Sequence, residues 1–182
     1  MGIHEMGLGD LAAFICGHLL RNGIKVVLSG GACVSIFSEN RYQSYDLDFV
    51  ESMYIARKRL RAVMAEIGFV EHQHRYFRHL ESDYYVEFPP GPVTVGDELV
   101  RAPQELIFAT GTLVLLSPTD SVKDRLAGYY HWKDKQCLEQ AVLITRCNNV
   151  DMEDIRRWSE REGKYEEFLK IRPQLEKRNR CS

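Results

Sequence analysis

The sequence lacks the features that mark several large classes of protein. Its five cysteines show no Cys-x-x-Cys spacing and no Cys/His cluster. This argues against a disulfide framework and a zinc site, and favours buried, reduced thiols. Apolar runs such as 112–116 are far shorter than the ~20 residues that a membrane-spanning helix needs. The first ten residues lack a basic segment, so we expect no signal peptide and a cytoplasmic protein without a membrane partner.

A large charge of one sign is also missing. The formal net charge is −2, so the chain has no global positive field to draw it to nucleic acid or to an anionic membrane. A local basic cluster is present between Arg57 and Arg61 on a predicted helix. It mildly favours an anionic partner such as RNA, although a solvated helix surface is the commoner explanation for such a run.

Hydrophobic periodicity predicts an α/β (α+β) fold. With 182 residues, of which 45% are hydrophobic, the chain can bury a core. Helical spacing and strand-like alternation predict helices at 9–22, 30–37, 53–67, 120–132, 135–146, 152–162 and 165–177, strands at 24–28 and 46–50, and further antiparallel strands within 69–116. We therefore expect a core with a mixed sheet flanked by helices over 1–116, and a C-terminal helical region over 117–182 packed on it.

Two aspartates in the second strand are the strongest functional signal. Side chains two apart in a strand project to the same face, so Asp46 and Asp48 point one way while Leu47 and Phe49 point toward the core. Two neighbouring carboxylates repel each other unless a cation lies between them. Mg²⁺ is commonly bound by one or two carboxylates together with substrate phosphates.

A third acid is expected in the segment Asp83–Phe88. Alternation places Asp83 and Glu87 on one face, so both are eligible. Glu87 is the stronger candidate because it lies between apolar neighbours in a strand, where a charge is unusual without a partner. Asp83 lies at the start of the strand, where acids are ordinary.

A glycine turn precedes the aspartates. Gly30 and Gly31 follow an apolar strand and Ser29, and they open a short predicted helix. Glycines let backbone N–H groups approach phosphates closely at a helix N-terminus, where the helix dipole also favours anions. Without the aspartates, an ordinary strand-to-helix turn would be the preferred interpretation.

Together these residues resemble a known signature. Gly30-Gly31, followed after fourteen residues by Asp46-Leu47-Asp48, is similar to the motif of the DNA polymerase β-type nucleotidyltransferase superfamily, in which a third carboxylate lies on a later strand. The nearest likeness is to abortive-infection-type nucleotidyltransferase toxins and their uncharacterised minimal relatives. Those proteins similarly carry an Arg and a Ser before the aspartate pair, here Arg41 and Ser44.

The resemblance implies an activity and a set of site residues. It implies a magnesium-dependent nucleotidyltransferase that moves a nucleoside monophosphate from an NTP to an acceptor hydroxyl. Two Mg²⁺ ions would be bound by the catalytic acids Asp46, Asp48 and Glu87. The nucleotide would be bound by Ser29, Gly30, Gly31, Arg41 and Lys123.

Two of these assignments have ordinary alternatives. Resembling enzymes often place a lysine on a helix comparable to the one that bears Lys123. Spacing alone equally predicts exposed ion pairs of Lys123 and its neighbour Arg125 with Asp120 and Asp124. Arg41 could reach a phosphate or pair with a nearby acid.

The acceptor and the physiological role stay open. A tRNA or other RNA, a protein side chain and a small molecule such as an aminoglycoside all present a hydroxyl. A toxin role would require an antitoxin partner. The alternatives are a catalytically silent module that binds a nucleotide or a protein and, less favoured, a metal-assisted phosphohydrolase.

Overall fold

The computed structural model describes residues 1–177. After a short 3-10 turn at Ile3–Glu5, the helices are α1 (Leu8–Arg21), α2 (Gly30–Phe37), α3 (Arg57–Ala65), α4 (Pro118–Trp132), α5 (Lys135–Cys147), α6 (Met152–Arg161) and α7 (Tyr165–Glu176). The strands are β1 (Val26–Ser29), β2 (Asp46–Glu51), β3 (Val70–His72), β4 (Tyr76–Arg78), β5 (Tyr85–Glu87), β6 (Thr94–Val95), β7 (Glu98–Leu99), β8 (Gln104–Phe108) and β9 (Gly111–Leu115). The mixture of helices with a mixed sheet confirms the predicted α+β class.

The chain divides into two compact units. Unit 1 comprises residues 1–32, 44–93 and 103–115, and unit 2 comprises 33–43, 94–102 and the described chain from 116 onward. The predicted division at residue 116 assigned the segments 33–43 and 94–102 to the core. In the structure these two segments group with the helices of unit 2.

Unit 1 is built on a seven-stranded sheet with the order β3-β4-β5-β2-β1-β9-β8. The sheet is mixed, as predicted. The pairs β2–β5 and β1–β9 are parallel, so the prediction that the strands within 69–116 are antiparallel is wrong at these two pairings. Parallel neighbours need a long crossover connection. The segment that contains α3 and the β3–β4 hairpin supplies it between β2 and β5.

One face of the sheet in unit 1 is a hydrophobic core. Leu47, Phe49, Phe77 and Val86 are fully buried on it. Helix α1 packs on β9, β8 and β1, and α3 packs beside β3. The Arg57 guanidinium of α3 lies 4.9 Å from the centre of the Phe77 ring, so α3 covers the same face.

Unit 2 contains helices α4 to α7 and the two-stranded β6–β7 pair, which the sequence pattern did not predict because two-residue strands show no periodicity. Trp158 of α6 is buried, and its indole N–H donates to the Val95 carbonyl of β6 at 3.1 Å. Its ring stacks on Tyr130 of α4, with 5.9 Å between ring centres. Side-chain caps begin α4, α5 and α6, as polar residues before apolar helices predict; they are Ser117, Asp134 and Asp151.

The cysteines match the expectation of buried, reduced thiols only in part, since Cys137 is a free thiol that is half-buried. Cys16 and Cys33 are buried free thiols. Burial raises the pKa of Cys33 to about 12, so this thiol stays protonated. Cys147 is disulfide-bonded, so the expectation of a reduced thiol is wrong there, and Cys181 lies outside the described residues.

Within residues 1–177 we find no helix that combines the length and the apolar character needed to span a bilayer.

Candidate active site

Two adjacent strands of unit 1 place the predicted acids on one face of the sheet. Asp46 is exposed and Asp48 is half-buried, while Leu47 between them is buried. The parallel register pairs Asp46 with Tyr85 and Asp48 with Glu87. Because paired residues on neighbouring strands share a face about 4.8 Å apart, Glu87 lies directly beside Asp48. Asp83 precedes β5 and is exposed, so the ladder does not align it with the pair.

The glycine turn lies against the second aspartate. Gly30 has a φ of +70°, a left-handed conformation that glycine adopts without strain. A Cβ at this position would lie 2.6 Å from Asp48 Oδ2. Residue 30 must therefore lack a side chain for the carboxylate of Asp48 to occupy its position beside the start of α2.

Two serines fix the backbone around the acids. Ser29 pairs with Asp48 across the antiparallel β1–β2 ladder, and its hydroxyl donates to the Asp48 carbonyl at 3.2 Å. The buried Ser44 hydroxyl donates to the Asp46 carbonyl at 3.0 Å and accepts from the Asp46 N–H. Both aspartates are thus held by main-chain contacts that leave their carboxylates out of the core.

Glu87 has a cationic neighbour that the sequence pattern did not reveal. Arg75 Nε, from the turn that precedes β4, donates to Glu87 Oε1 at 3.1 Å. The Arg75 side chain is 74% exposed, so it can rotate into solvent without leaving a buried site. The contact follows from the β4–β5 pairing, and local periodicity carries no information about that pairing.

The acids suit Mg²⁺ by the chemistry of their donor atoms, since all three offer carboxylate oxygens. Within residues 1–177, no group of three His, Cys, Asp or Glu side chains already converges as a metal site. Binding of an ion would therefore require the carboxylates to turn toward a common point. The shared face of Asp46, Asp48 and Glu87, and the exposure of Arg75, permit this movement.

The two predicted phosphate-binding cations belong to unit 2. Arg41 is exposed. Lys123 is buried, and its ammonium group contacts Asp120 at 3.4 Å, Glu98 at 3.8 Å and Asp154. The ion pair of Lys123 with Asp120 is present, in a buried rather than an exposed position.

Two of the carboxylates around Lys123, those of Glu98 and Asp154, are held in their charged form. Hydrogen bonds from Arg157 lower the pKa of Glu98, although partial burial opposes them. Burial raises the pKa of Asp154, but hydrogen bonds from Lys123 and Arg157 outweigh it and the net shift is downward. Glu98 and Asp154 are distant from Lys123 in the sequence, so no local signal could have identified them as its partners.

The predicted basic helix is partly neutralised within unit 1. Arg57 and Arg61 both bind the Glu71 carboxylate at 2.6 Å. Burial raises the pKa of Glu71, but these two hydrogen bonds more than compensate and lower it overall. Arg59 donates to the Asn22 carbonyl. The cluster therefore presents less free positive charge than its sequence suggests.

Comparisons with known proteins give matches among solved structures. No protein-family profile and no curated protein sequence matches the chain. The crystal structure of an antigenic nucleotidyltransferase-like protein from Paracoccidioides brasiliensis is 13% identical, with a TM-score of 0.64, and the match covers 96% of this chain and 94% of that chain.

The antibiotic-resistance factor ANT(2'')-Ia also matches in two structures. Its solution structure is 14% identical, with a TM-score of 0.52 and coverage of 93% of this chain and 94% of that chain. Its crystal structure with adenylyl-2''-tobramycin is 15% identical, with a TM-score of 0.50 and coverage of 86% and 93%. At this identity the likeness shows the fold, and the chain therefore has a nucleotidyltransferase-like fold.

Proposed function

We propose that this protein is a metal-dependent nucleotidyltransferase that moves a nucleoside monophosphate from an NTP onto an acceptor hydroxyl. The observation that carries the proposal is the position of Asp48, which lies in register with Glu87 on one side and against the Gly30 turn on the other. The acids and the glycine turn thus meet at one place on a nucleotidyltransferase-like fold. Neither element alone would support the proposal as strongly.

Asp46, Asp48 and Glu87 would bind the divalent ions. Mg²⁺ ions bound there would neutralise the phosphates and stabilise the attacking and leaving oxygens. The protein itself would contribute position and charge, because phosphoryl transfer requires alignment more than covalent participation of side chains. Arg75 would release Glu87 when the metal binds, and Glu87 could alternatively accept the proton of the acceptor hydroxyl.

The start of α2 would bind the triphosphate. The left-handed Gly30 brings the backbone close to Asp48, and Gly31 follows in the first turn of the helix. The Ser29 hydroxyl donates to the backbone of β2 in this structure. N–H groups at the start of a helix favour anions. Arg41 and Lys123 stay predictions as phosphate ligands, and Lys123 would need to share its ammonium group with three carboxylates.

The acceptor and the role are separate parts of the proposal. ANT(2'')-Ia was crystallised with adenylyl-2''-tobramycin, which makes an aminoglycoside one acceptor to test beside RNA and protein. A toxin of the abortive-infection type would need an antitoxin partner. A catalytically silent nucleotide-binding module is the competing function, because Glu87 is bonded to Arg75 and the carboxylates are not yet convergent.

A transfer assay with matched variants tests the proposal. Purified protein is incubated with α-labelled NTPs, Mg²⁺ and a cell extract, and the labelled products are identified. We expect Asp48→Asn and Glu87→Gln to reduce transfer about 100-fold or more, because each removes a carboxylate that would bind metal. EDTA should have the same effect.

Asp83→Asn is the matched control, because Asp83 is an exposed acid just outside β5 and should leave transfer unchanged. Nucleotide binding without any labelled product would instead establish the silent module. Release of inorganic phosphate or pyrophosphate without transfer would support the hydrolase. Full transfer by Asp48→Asn would refute the proposed chemistry.

A further inference from the structure

The sheet face that bears the acids continues beyond them as a surface that the proposed chemistry does not use. In β5, Tyr85 occupies the same face as Glu87, because Val86 between them is buried on the other. The antiparallel β4–β5 register pairs Arg78 with Tyr85, and Tyr76 with Glu87. The β3–β4 register then pairs His72 with Tyr76.

We call Tyr85, Tyr76, His72 and Arg78 the aromatic strip. With strands about 4.8 Å apart, the strip begins one strand from the acids of β2 and reaches the edge of the sheet two strands further on. His72 and Arg78 are exposed, and the two tyrosines are half-buried against each other. The strip is therefore open to solvent at His72 and Arg78 and partly accessible at the two tyrosines.

The rings and cations of the strip are arranged together. Tyr76 and Tyr85 meet edge to face, with ring centres 5.2 Å apart. Arg78 Cζ lies 4.8 Å above the centre of the Tyr85 ring, and the His72 ring lies nearly parallel to Tyr76 at 6.0 Å. Aromatic faces and guanidinium planes are the groups on which unpaired nucleobases stack, while Arg also attracts phosphate.

The position of the strip separates it from the expected nucleotide site. The strand order places β1, which leads into the Gly30 turn, on one side of β2 and the aromatic strip on the other. An NTP bound at the glycine turn would thus lie across the acids from the strip. A molecule bound on the strip would approach the acids from the side that the acceptor must occupy.

We propose that the aromatic strip binds a single-stranded nucleic acid, whose terminal nucleotide presents the acceptor hydroxyl to Asp48 and Glu87. This inference rests on the proposed function and names its acceptor class. Arg78 and Arg75 supply positive charge beside the acids, which suits a phosphate backbone in a protein whose net charge is −2. Duplex ends are disfavoured, because paired bases are already stacked on each other.

A binding experiment tests the strip independently of catalysis. Fluorescence anisotropy is measured with labelled RNA and DNA single strands of about 12 nucleotides, a length within the usual site sizes of single-strand binders, and with the corresponding duplexes, in Mg²⁺ without NTP. We expect single strands to bind in preference to duplex, and the tighter of RNA and DNA to identify the acceptor. Tyr85→Ala should weaken binding about 10-fold, as expected for the loss of one base stack.

Further variants keep the test independent of folding. Tyr85→Phe should bind like the wild type, because it retains the ring. Arg78→Ala changes an exposed residue, and it should weaken binding and lower the salt dependence by about one phosphate contact. Tyr165→Ala and Arg172→Ala, which alter a tyrosine and an arginine of α7, should leave binding unchanged.

The two proposals fail in different ways. Asp48→Asn should abolish transfer yet bind single strands normally. Three results would contradict the proposed role of the aromatic strip. They are the absence of single-strand binding, equal binding of duplex, and wild-type binding by both Tyr85→Ala and Arg78→Ala. If any of those results were found while a protein or a small molecule was labelled, the proposed role of the aromatic strip would be wrong. The nucleotidyltransferase proposal would still be supported.

Discussion

At the scale of single residues, the contact between Gly30 and Asp48 is the most constraining feature of the site. Gly30 needs a positive φ and also has no room for a Cβ, since the Asp48 carboxylate occupies that space. The left-handed backbone and the position of the Asp48 carboxylate therefore both require glycine at this position.

Gly30→Ala should separate these two constraints. A left-handed alanine costs about 1–2 kcal/mol, and the added methyl group would displace the Asp48 carboxylate. We expect a destabilisation of about that size in urea unfolding, together with a loss of transfer that exceeds what the unfolded fraction explains. Both are measured on the same preparation.

Gly163→Ala provides the control for backbone strain. Gly163 has a φ of +67°, and a Cβ added there would meet no atom within 4 Å. This variant should lose similar stability and keep transfer. Equal activity of the folded Gly30→Ala and Gly163→Ala proteins would show that the contact with Asp48 has no catalytic consequence.

At the scale of elements, a charged network joins α4, α6 and β7 in unit 2. Arg157 donates to both oxygens of Glu98 at 2.8 and 2.9 Å, and Arg161 also reaches Glu98. Lys123 brings α4 into the same network through Asp154 and Glu98. The network lines a cavity of about 540 Å³, and its acids and bases balance each other.

The network should make stability depend on pH. The pKa values of Glu98 and Asp154 are lowered in the folded protein, so the unfolded state binds more protons. Their contribution is therefore complete above their ordinary pKa values, and it is lost as the pH falls below those values and through the lowered pKa values of the folded protein. Glu98→Gln should lower the free energy of unfolding by about 1 kcal/mol at pH 7 and should make this free energy depend less on pH in the acidic range.

Urea unfolding of Glu98→Gln between about pH 3 and 7 measures the effect. Glu153→Gln is the control, because Glu153 pairs with Arg156 on the exposed side of α6 and should change little. A pH profile of Glu98→Gln parallel to that of the wild type would mean that the network does not couple protonation to folding.

At the scale of the whole molecule, the proposed site predicts stabilisation by ligand. A ligand that binds only the folded state at about 100 times its Kd adds about 2.7 kcal/mol. For a chain of this length, that corresponds to a rise in Tm of about 5–10 °C. We expect this shift with Mg²⁺ plus a non-hydrolysable NTP analogue, and its reversal by EDTA.

Differential scanning fluorimetry of three proteins checks the prediction. Wild type and Asp83→Asn should show the shift, and Asp48→Asn should not. An equal shift in Asp48→Asn would place the nucleotide somewhere other than beside these acids. A shift with the analogue in EDTA would show that binding does not depend on the metal.

The sequence by itself determined most elements and the two halves of the candidate site. Period-two alternation set the face of Asp46 and Asp48, and Gly30-Gly31 set the turn into α2, because both are local properties of the chain. The helices of unit 2 were also predictable, since capping residues and helical spacing act within a few residues.

Only the tertiary structure decided which distant residues meet. Parallel pairing of β5 with β2 placed Glu87 rather than Asp83 beside Asp48, and the β3–β4–β5 hairpins brought Arg75 and the aromatic strip to the same face. The partners Glu98 and Asp154 likewise reached Lys123 only through packing. Strand register and helix packing are fixed by burial across the whole fold, and no local pattern records them.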